Sequence, residues 1–173
     1  MKNKTIYFSL GLFCGLFIWF VASRVITYYS EKEDNELHIF HKKGINMKIK
    51  LSSIFVDDQD KALKFYTEIL GFVKKEDIPM GEYRWLTVVS PEGPDDLELV
   101  LEPNANSAAA TYQKAIFEQG IPATSFASDN VQEEFKKLKE LGVEFKMEPT
   151  KAGDVILAIF NDTCGNYIQL HQE

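Results

Sequence analysis

Cysteine is almost missing: only Cys14 and Cys164 occur in 173 residues. No disulfide framework or zinc spacing can be built from them, so two unpaired thiols is the simpler reading. Histidine is as scarce, with His38, His41 and His171 the full set. His38 and His41 form an i, i+3 pair in a polar stretch. Without further donors they read as solvated linker rather than as a metal site. Positive charge is short as well: 19 Lys and Arg stand against 26 Asp and Glu, a net charge of −7. A phosphate backbone needs a basic surface, which argues against nucleic acid as a partner. No P-loop, dinucleotide fingerprint or Ser/His/Asp set is present.

Long apolar runs are lacking too, with one exception. Residues 6–29 carry a single charge, Arg24, and residues 6–23 carry none. That length approaches what a helix needs to cross a bilayer. Residues 1–30 therefore read first as a hydrophobic N-terminal helix serving as a single-span anchor, and residues 31–46 as a polar linker. A membrane partner through residues 6–29 and a membrane-anchored location follow from that reading. A signal peptide is the second reading, with Val21-Ala22-Ser23 as small residues near a cleavage point. The third is a start at Met47, where MKIKLSSIFVDD opens like a domain; the protein would then be cytoplasmic.

From residue 47 onward two periodicities alternate. Residues 48–56 read as a strand, and Asp57 or Asp58 as the N-cap of a helix over 59–70. Ala62, Phe65, Tyr66, Ile69 and Leu70 make its apolar stripe, and Gly71 ends it. Strands follow at 72–75, 83–89 and 97–102. A connector holds a short helix over 110–119. The order then recurs, with a strand at 123–127, an Asp129 cap, a helix over 131–141 and strands at 143–146, 155–160 and 167–171. The halves superpose at an offset of 71. Phe55 falls on Phe126, Asp58 on Asp129, Leu70-Gly71 on Leu141-Gly142, Leu86 on Leu157, and Glu98 on Gln169. The helix stripes do not match in phase. Such self-similarity marks an internal duplication, whose halves must share one interior.

Four blocks carry a family resemblance. They are Val56-Asp57-Asp58-Gln59-Asp60-Lys61-Ala62 running into Phe65-Tyr66-Thr67-Glu68-Ile69-Leu70-Gly71-Phe72, then Leu97-Glu98-Leu99, and finally residues 162–170, DTCGNYIQL. Residues 47–173 resemble the vicinal oxygen chelate superfamily of glyoxalase I, bleomycin-resistance proteins and extradiol dioxygenases. The resemblance implies an α+β fold of two tandem βαβββ modules, 47–103 and 121–173, with a small molecule held in the cavity between them. Drug-sequestering members often hold it across a dimer, so a homodimer is among the expected partners. In metal-dependent members the ligands come from the first and fourth strands of each module. Here Glu98 and Gln169 fall at fourth-strand positions, and His171 offers a third donor. The first-strand positions hold Leu51 and Pro122 or Ala123, none of which binds a metal. One carboxylate and one amide are a poor set. A metal-free binding cavity without cofactor is therefore the leading expectation. A lyase or isomerase using Glu98, Gln169 and His171, on a metal or as acid/base groups, is the runner-up.

Glu98 has three roles open to it: ligand contact, general base in an apolar cavity, or ion pairing, with Arg84 on the adjacent strand as one partner. Arg84, Gln169 and His171 read as polar ligand contacts. Phe55, Trp85, Phe126 and Tyr167 read as an aromatic lining, with plain core packing the competing role. Cys164 reads as a buried, inert thiol.

Overall fold

Strand β1 (Leu51–Val56) ends in the Asp pair that starts a helix. The Asp58 carboxylate accepts from the Asp60 and Lys61 amides at 2.8 and 2.9 Å, satisfying donors that a helix start leaves unpaired. Helix α1 (Gln59–Lys64) runs directly into a π-helical turn (Phe65–Ile69), where the Leu70 amide reaches the Phe65 carbonyl at 3.1 Å. Then come β2 (Val73–Met80), β3 (Tyr83–Val89) and β4 (Glu98–Pro103). Helix α2 (Ser107–Gln119) is capped by Asn106 and stopped by Gly120 at φ 71°. The second module repeats the order as β5 (Pro122–Ala127), α3 (Val131–Glu140), β6 (Phe145–Ala152), β7 (Val155–Asn161) and β8 (Tyr167–Gln172). These elements belong to a compact unit spanning Ile49–Glu173 in a computed structural model that describes residues 46–94 and 96–172.

The result is an α+β fold with two four-stranded sheets, ordered β1-β4-β3-β2 and β5-β8-β7-β6. In each, the first strand runs parallel to the fourth and the other pairings are antiparallel. Strands β2 and β6 run further than the short strands expected at 72–75 and 143–146, because backbone pairing carries them on into polar sequence.

The duplication is real, but its offset is not constant. The helix caps are Asp58 and Asn130, seventy-two positions apart, so Asn130 and not Asp129 caps α3. The glycines that end the two helices, Gly71 and Gly142, are seventy-one apart. The π turn holds the additional residue in the first module, and this is why the helix stripes fall out of phase. In the sheets, Ile54 opposite Leu101 corresponds to Phe126 opposite Leu170. Val88 opposite Leu99 corresponds to Phe160 opposite Ile168. By this register the counterpart of Glu98 is Tyr167, and that of Gln169 is Val100. The pairing of Glu98 with Gln169 is thereby corrected.

Alternation gives each sheet two faces. In the first, Ile54, Val56, Leu86, Val88 and Leu101 turn to the helix side and are buried. In the second, Ala158, Phe160, Ile168 and Leu170 do the same. Both sets belong to one core, with Phe65 6.3 Å from Phe160 and Phe72 5.4 Å from Phe126 between ring centroids. Where the resemblance implies a cavity between modules, these contacts show shared packing.

A buried polar knot also ties the modules together. Asn166 Nδ2 donates to the Phe55 carbonyl at 2.8 Å, and Tyr66 Oη donates to Asp162 Oδ2 at 3.2 Å. Gln113 of α2 donates to the Phe55 and Cys164 carbonyls at 2.8 and 3.0 Å. Asp162 Oδ1 accepts from the Cys164 and Asn166 amides. Burial raises the Asp162 carboxyl above its usual range, against these hydrogen bonds, and pushes Tyr66 well above its own. Burial likewise pushes the Cys164 thiol up to about 12, which keeps it protonated and inert.

The expected N-terminal helix, residues 1–30, and the linker up to residue 45 lie outside the described residues. The membrane-anchored location is corrected: among the described residues no helix is long and apolar enough to cross a membrane.

Candidate ligand groove

The face of the first sheet turned away from the core is where this fold leaves large apolar groups uncovered. Leu51 of β1, Trp85 and Tyr83 of β3, and Ile78 and Met80 of β2 are all exposed there. Cross-strand register makes neighbours of Ile78 and Trp85, and of Met80 and Tyr83. A groove of about 470 Å³ opens on this side. Its walls include Leu51 and Ser53, Met80, Trp85, Val100 and Glu102.

The groove exists because two strands part. β3 and β4 pair at Thr87–Val100 and Val88–Leu99, and the pairing goes no further toward Arg84 and Leu101. Gln59 takes over the backbone groups left behind. Its Nε2 donates to the Arg84 and Leu101 carbonyls, both at 2.8 Å, and its Oε1 accepts from the Arg84 amide at 3.0 Å. A side-chain amide has the donors and the acceptor to stand in for a ladder in this way. Sequence reasoning did not single out Gln59. A polar residue in the first turn of a surface helix gives no signal of such a task.

Glu98 is on the same open face, further along β4. Its side chain is buried, with Oε2 accepting from Thr87 Oγ1 at 2.9 Å and Oε1 lying 3.3 Å from Lys75 Nζ. The Thr87 hydrogen bond, with Lys75 behind it, holds this carboxyl below its usual range. Arg84 is not its partner. Arg84 alternates with Trp85 and so points to the helix side, where its guanidinium meets Asp60 at 2.7 Å and Asp77 at 3.6 Å. Leu51 sits directly opposite Glu98 in the β1–β4 register and offers no donor atom.

The remaining residues separate. Phe55 is half-buried and contributes its carbonyl to the module knot. Phe126 turns inward, opposite Leu170, and packs edge-to-face on Phe72; as a lining residue it is corrected to core. Tyr167 is on the open face of the second sheet, stacked on Phe117 of α2 at 4.5 Å with Lys146 Nζ 4.8 Å over its ring. Gln169 and His171 share that face. Gln169 Nε2 donates to Ser125 Oγ at 3.0 Å, and Ser125 Oγ lies 2.9 Å from His171 Nδ1. Gln169 and His171 are thus brought together through Ser125, while the bonds of Glu98 go to Thr87 and Lys75. Among the described residues no three His, Cys, Asp or Glu side chains are grouped to hold a metal ion.

Two modules of this topology, with an open groove on one sheet, can be compared with known proteins. The family model of the glyoxalase/bleomycin resistance protein/dioxygenase superfamily matches residues 48–170. The chain belongs to this superfamily. Its relatives include the protein YurT of Bacillus subtilis (strain 168), 59% identical over 127 residues, covering 73% of this chain and all of YurT. Among solved structures, UcmS2 is 31% identical with a TM-score of 0.66, covering 75% of this chain and 100% of that one. TnmS3, an antibiotic binding protein from Streptomyces sp. CB03234, is 28% identical with a TM-score of 0.57, covering 73% and 96%. The superfamily hosts several chemistries, so membership alone does not assign a reaction.

Proposed function

We propose that the chain binds a small, largely aromatic organic molecule on the open face of its first module and holds it without a resident metal. The groove over the β3–β4 split carries this reading. Its size suits a drug-like ligand, and its walls are mainly apolar with a few polar groups, the pattern of small-molecule sites. The likeness to an antibiotic binding protein supports the same reading.

The donor chemistry speaks for binding rather than metal catalysis. Along β1 the partners of the β4 open-face residues Glu98, Val100 and Glu102 are Leu51, Ser53 and Phe55. Along β5, those of Tyr167, Gln169 and His171 are Pro122, Ser125 and Ala127. Neither row supplies the imidazole, thiolate or second carboxylate that a transition metal requires. Glu98 is also ill suited as a general base. A base works best with a pKa near the operating pH, and this carboxyl is held low. Trp85, Val100 and Glu102 are the residues we place against the ligand, with Gln59 positioning the strands behind them. A second copy of the chain is included in the proposal as the cover for the apolar face that remains exposed around the groove.

Thermal unfolding with a panel of planar natural products (an anthraquinone, a naphthoquinone and a flavonoid) tests the reading. At least one should raise the midpoint in wild type and fail to do so in Trp85→Ala, since binding stabilises by mass action. Shifts that persist unchanged in Trp85→Ala would contradict it.

A further inference from the structure

We infer that the groove selects planar aromatic cations bearing N–H donors, with Glu102 as the counter-charge. This rests on the groove reading above and goes further by naming the chemical class.

The open face of β4 carries two carboxylates, Glu98 and Glu102, four residues apart and so about 13 Å from one another along the strand. They differ in what occupies them. Glu98 is buried and taken up by Thr87 and Lys75. Glu102 is exposed, forms part of the groove wall, and has no ion-pair partner among the described residues. The cation next to it in the groove, Arg84, is committed to Asp60 and Asp77 on the helix side. The groove therefore offers one unpaired negative charge and no unpaired positive one.

Each class of ligand meets this differently. An anion is opposed by Glu102 and finds no cation to receive it. A neutral flat molecule gains the apolar walls but strips water from a carboxylate that it cannot pair. A cation bearing N–H donors satisfies the carboxylate. It also lies beside Trp85 and Tyr83, whose ring faces attract cations, and beside Met80, whose thioether is adaptable against flat rings. The overall charge of −7 acts in the same direction by attracting cations to the surface.

The second module shows that this arrangement is particular to the first. The counterparts of Val100 and Glu102 are Gln169 and His171, which are tied to each other through Ser125. The position of the free carboxylate is filled there by a hydrogen-bonded imidazole.

The test uses the full chain and two dyes of nearly equal shape at pH 7.5: 9-aminoacridine, a cation, and acridine, which is neutral. Binding is followed by calorimetry. Wild type should bind the cation about 5- to 10-fold more tightly, the size of one exposed ion pair with a cation–π contact. Glu102→Gln should bring that ratio close to one by weakening the cation, with acridine bound at least as tightly as by wild type. Glu140→Gln, an exposed carboxylate on α3, should leave the ratio alone. Trp85→Ala should weaken both dyes. A ratio unmoved by Glu102→Gln, or lowered equally by Glu140→Gln, overturns the cation preference while loss of both dyes in Trp85→Ala upholds the groove. Dyes that bind Trp85→Ala as well as wild type, or that do not bind wild type at all, overturn both.

Discussion

Lys75 Nζ lies 3.3 Å from the Glu98 carboxylate on the open face of the first sheet. Both halves of the duplication keep a lysine at this place: Lys75 and Lys146 each occupy a bulge where the second strand slips against the third. In the first module the lysine meets a carboxylate, and in the second it lies over the Tyr167 ring. A lysine serves either partner, as an ion pair or by cation–π attraction. In the proposed reading Glu98 serves this ion pair, and the ligand contacts fall to Trp85, Val100 and Glu102.

Glu98→Gln should therefore keep the fold and the dye affinities. Its effect should appear in the pH dependence of stability. A carboxyl held low in the folded state contributes stability above its ordinary value of 4.5 and loses it as pH falls through the lowered one. Urea midpoints of wild type and variant should differ at pH 7 and converge as the pH is taken below about 4.5. A gap that persists at acid pH would mean that Glu98 acts through packing instead of charge.

Gln59→Leu should destabilise the domain by about 2–3 kcal/mol, because three backbone groups of Arg84 and Leu101 lose their partners. Urea unfolding measures this. A cost below about 0.5 kcal/mol would show that water replaces the amide without loss.

Gly165→Ala should cost about 1–3 kcal/mol. The backbone there stands at φ +94°, and an added Cβ would come within 2.8 Å of Gln113 Nε2 in the module knot. A neutral substitution, read by thermal unfolding, would mean that α2 yields and the knot is loose.

Asp162→Asn addresses the knot from its charge. The Asp162 carboxyl is raised on folding, so the native state binds the proton more tightly than the unfolded chain. Its contribution is largest below 3.8 and diminishes as pH rises through the raised folded value. Wild type should exceed the variant in urea stability by more at pH 3.5 than at pH 7. The opposite trend would place hydrogen bonding to the ionised carboxylate above burial.

Much of this architecture was legible in the residues. Asp58, the stripe of Ala62, Phe65 and Tyr66 running from α1 into the π turn, and the glycines at 71 and 142 carry local rules that hold without tertiary information. Register was not legible, because a period of two fixes which side chains share a face but not which residue stands opposite. A constant offset set Glu98 on Gln169 and Phe55 on Phe126, whereas β1 and β5 stand 72 apart and β4 and β8 stand 69 apart, the loop before β8 being three residues shorter than the loop before β4. Arg84 could have been placed correctly. It alternates with Trp85 and stays in phase with Leu86 and Val88, so it belongs to the helix side. The β3–β4 split and the part Gln59 plays in it leave no trace in composition or periodicity.

We place the ligand on the open face of the first module. Amide chemical-shift mapping with 9-aminoacridine tests this placement most directly. Saturable shifts are expected at Ser53, Trp85, Val100 and Glu102, with Ser125, Gln169 and His171 unmoved. Shifts concentrated at Ser125, Gln169 and His171, with Trp85 and Glu102 silent, would place the site on the other module and contradict it.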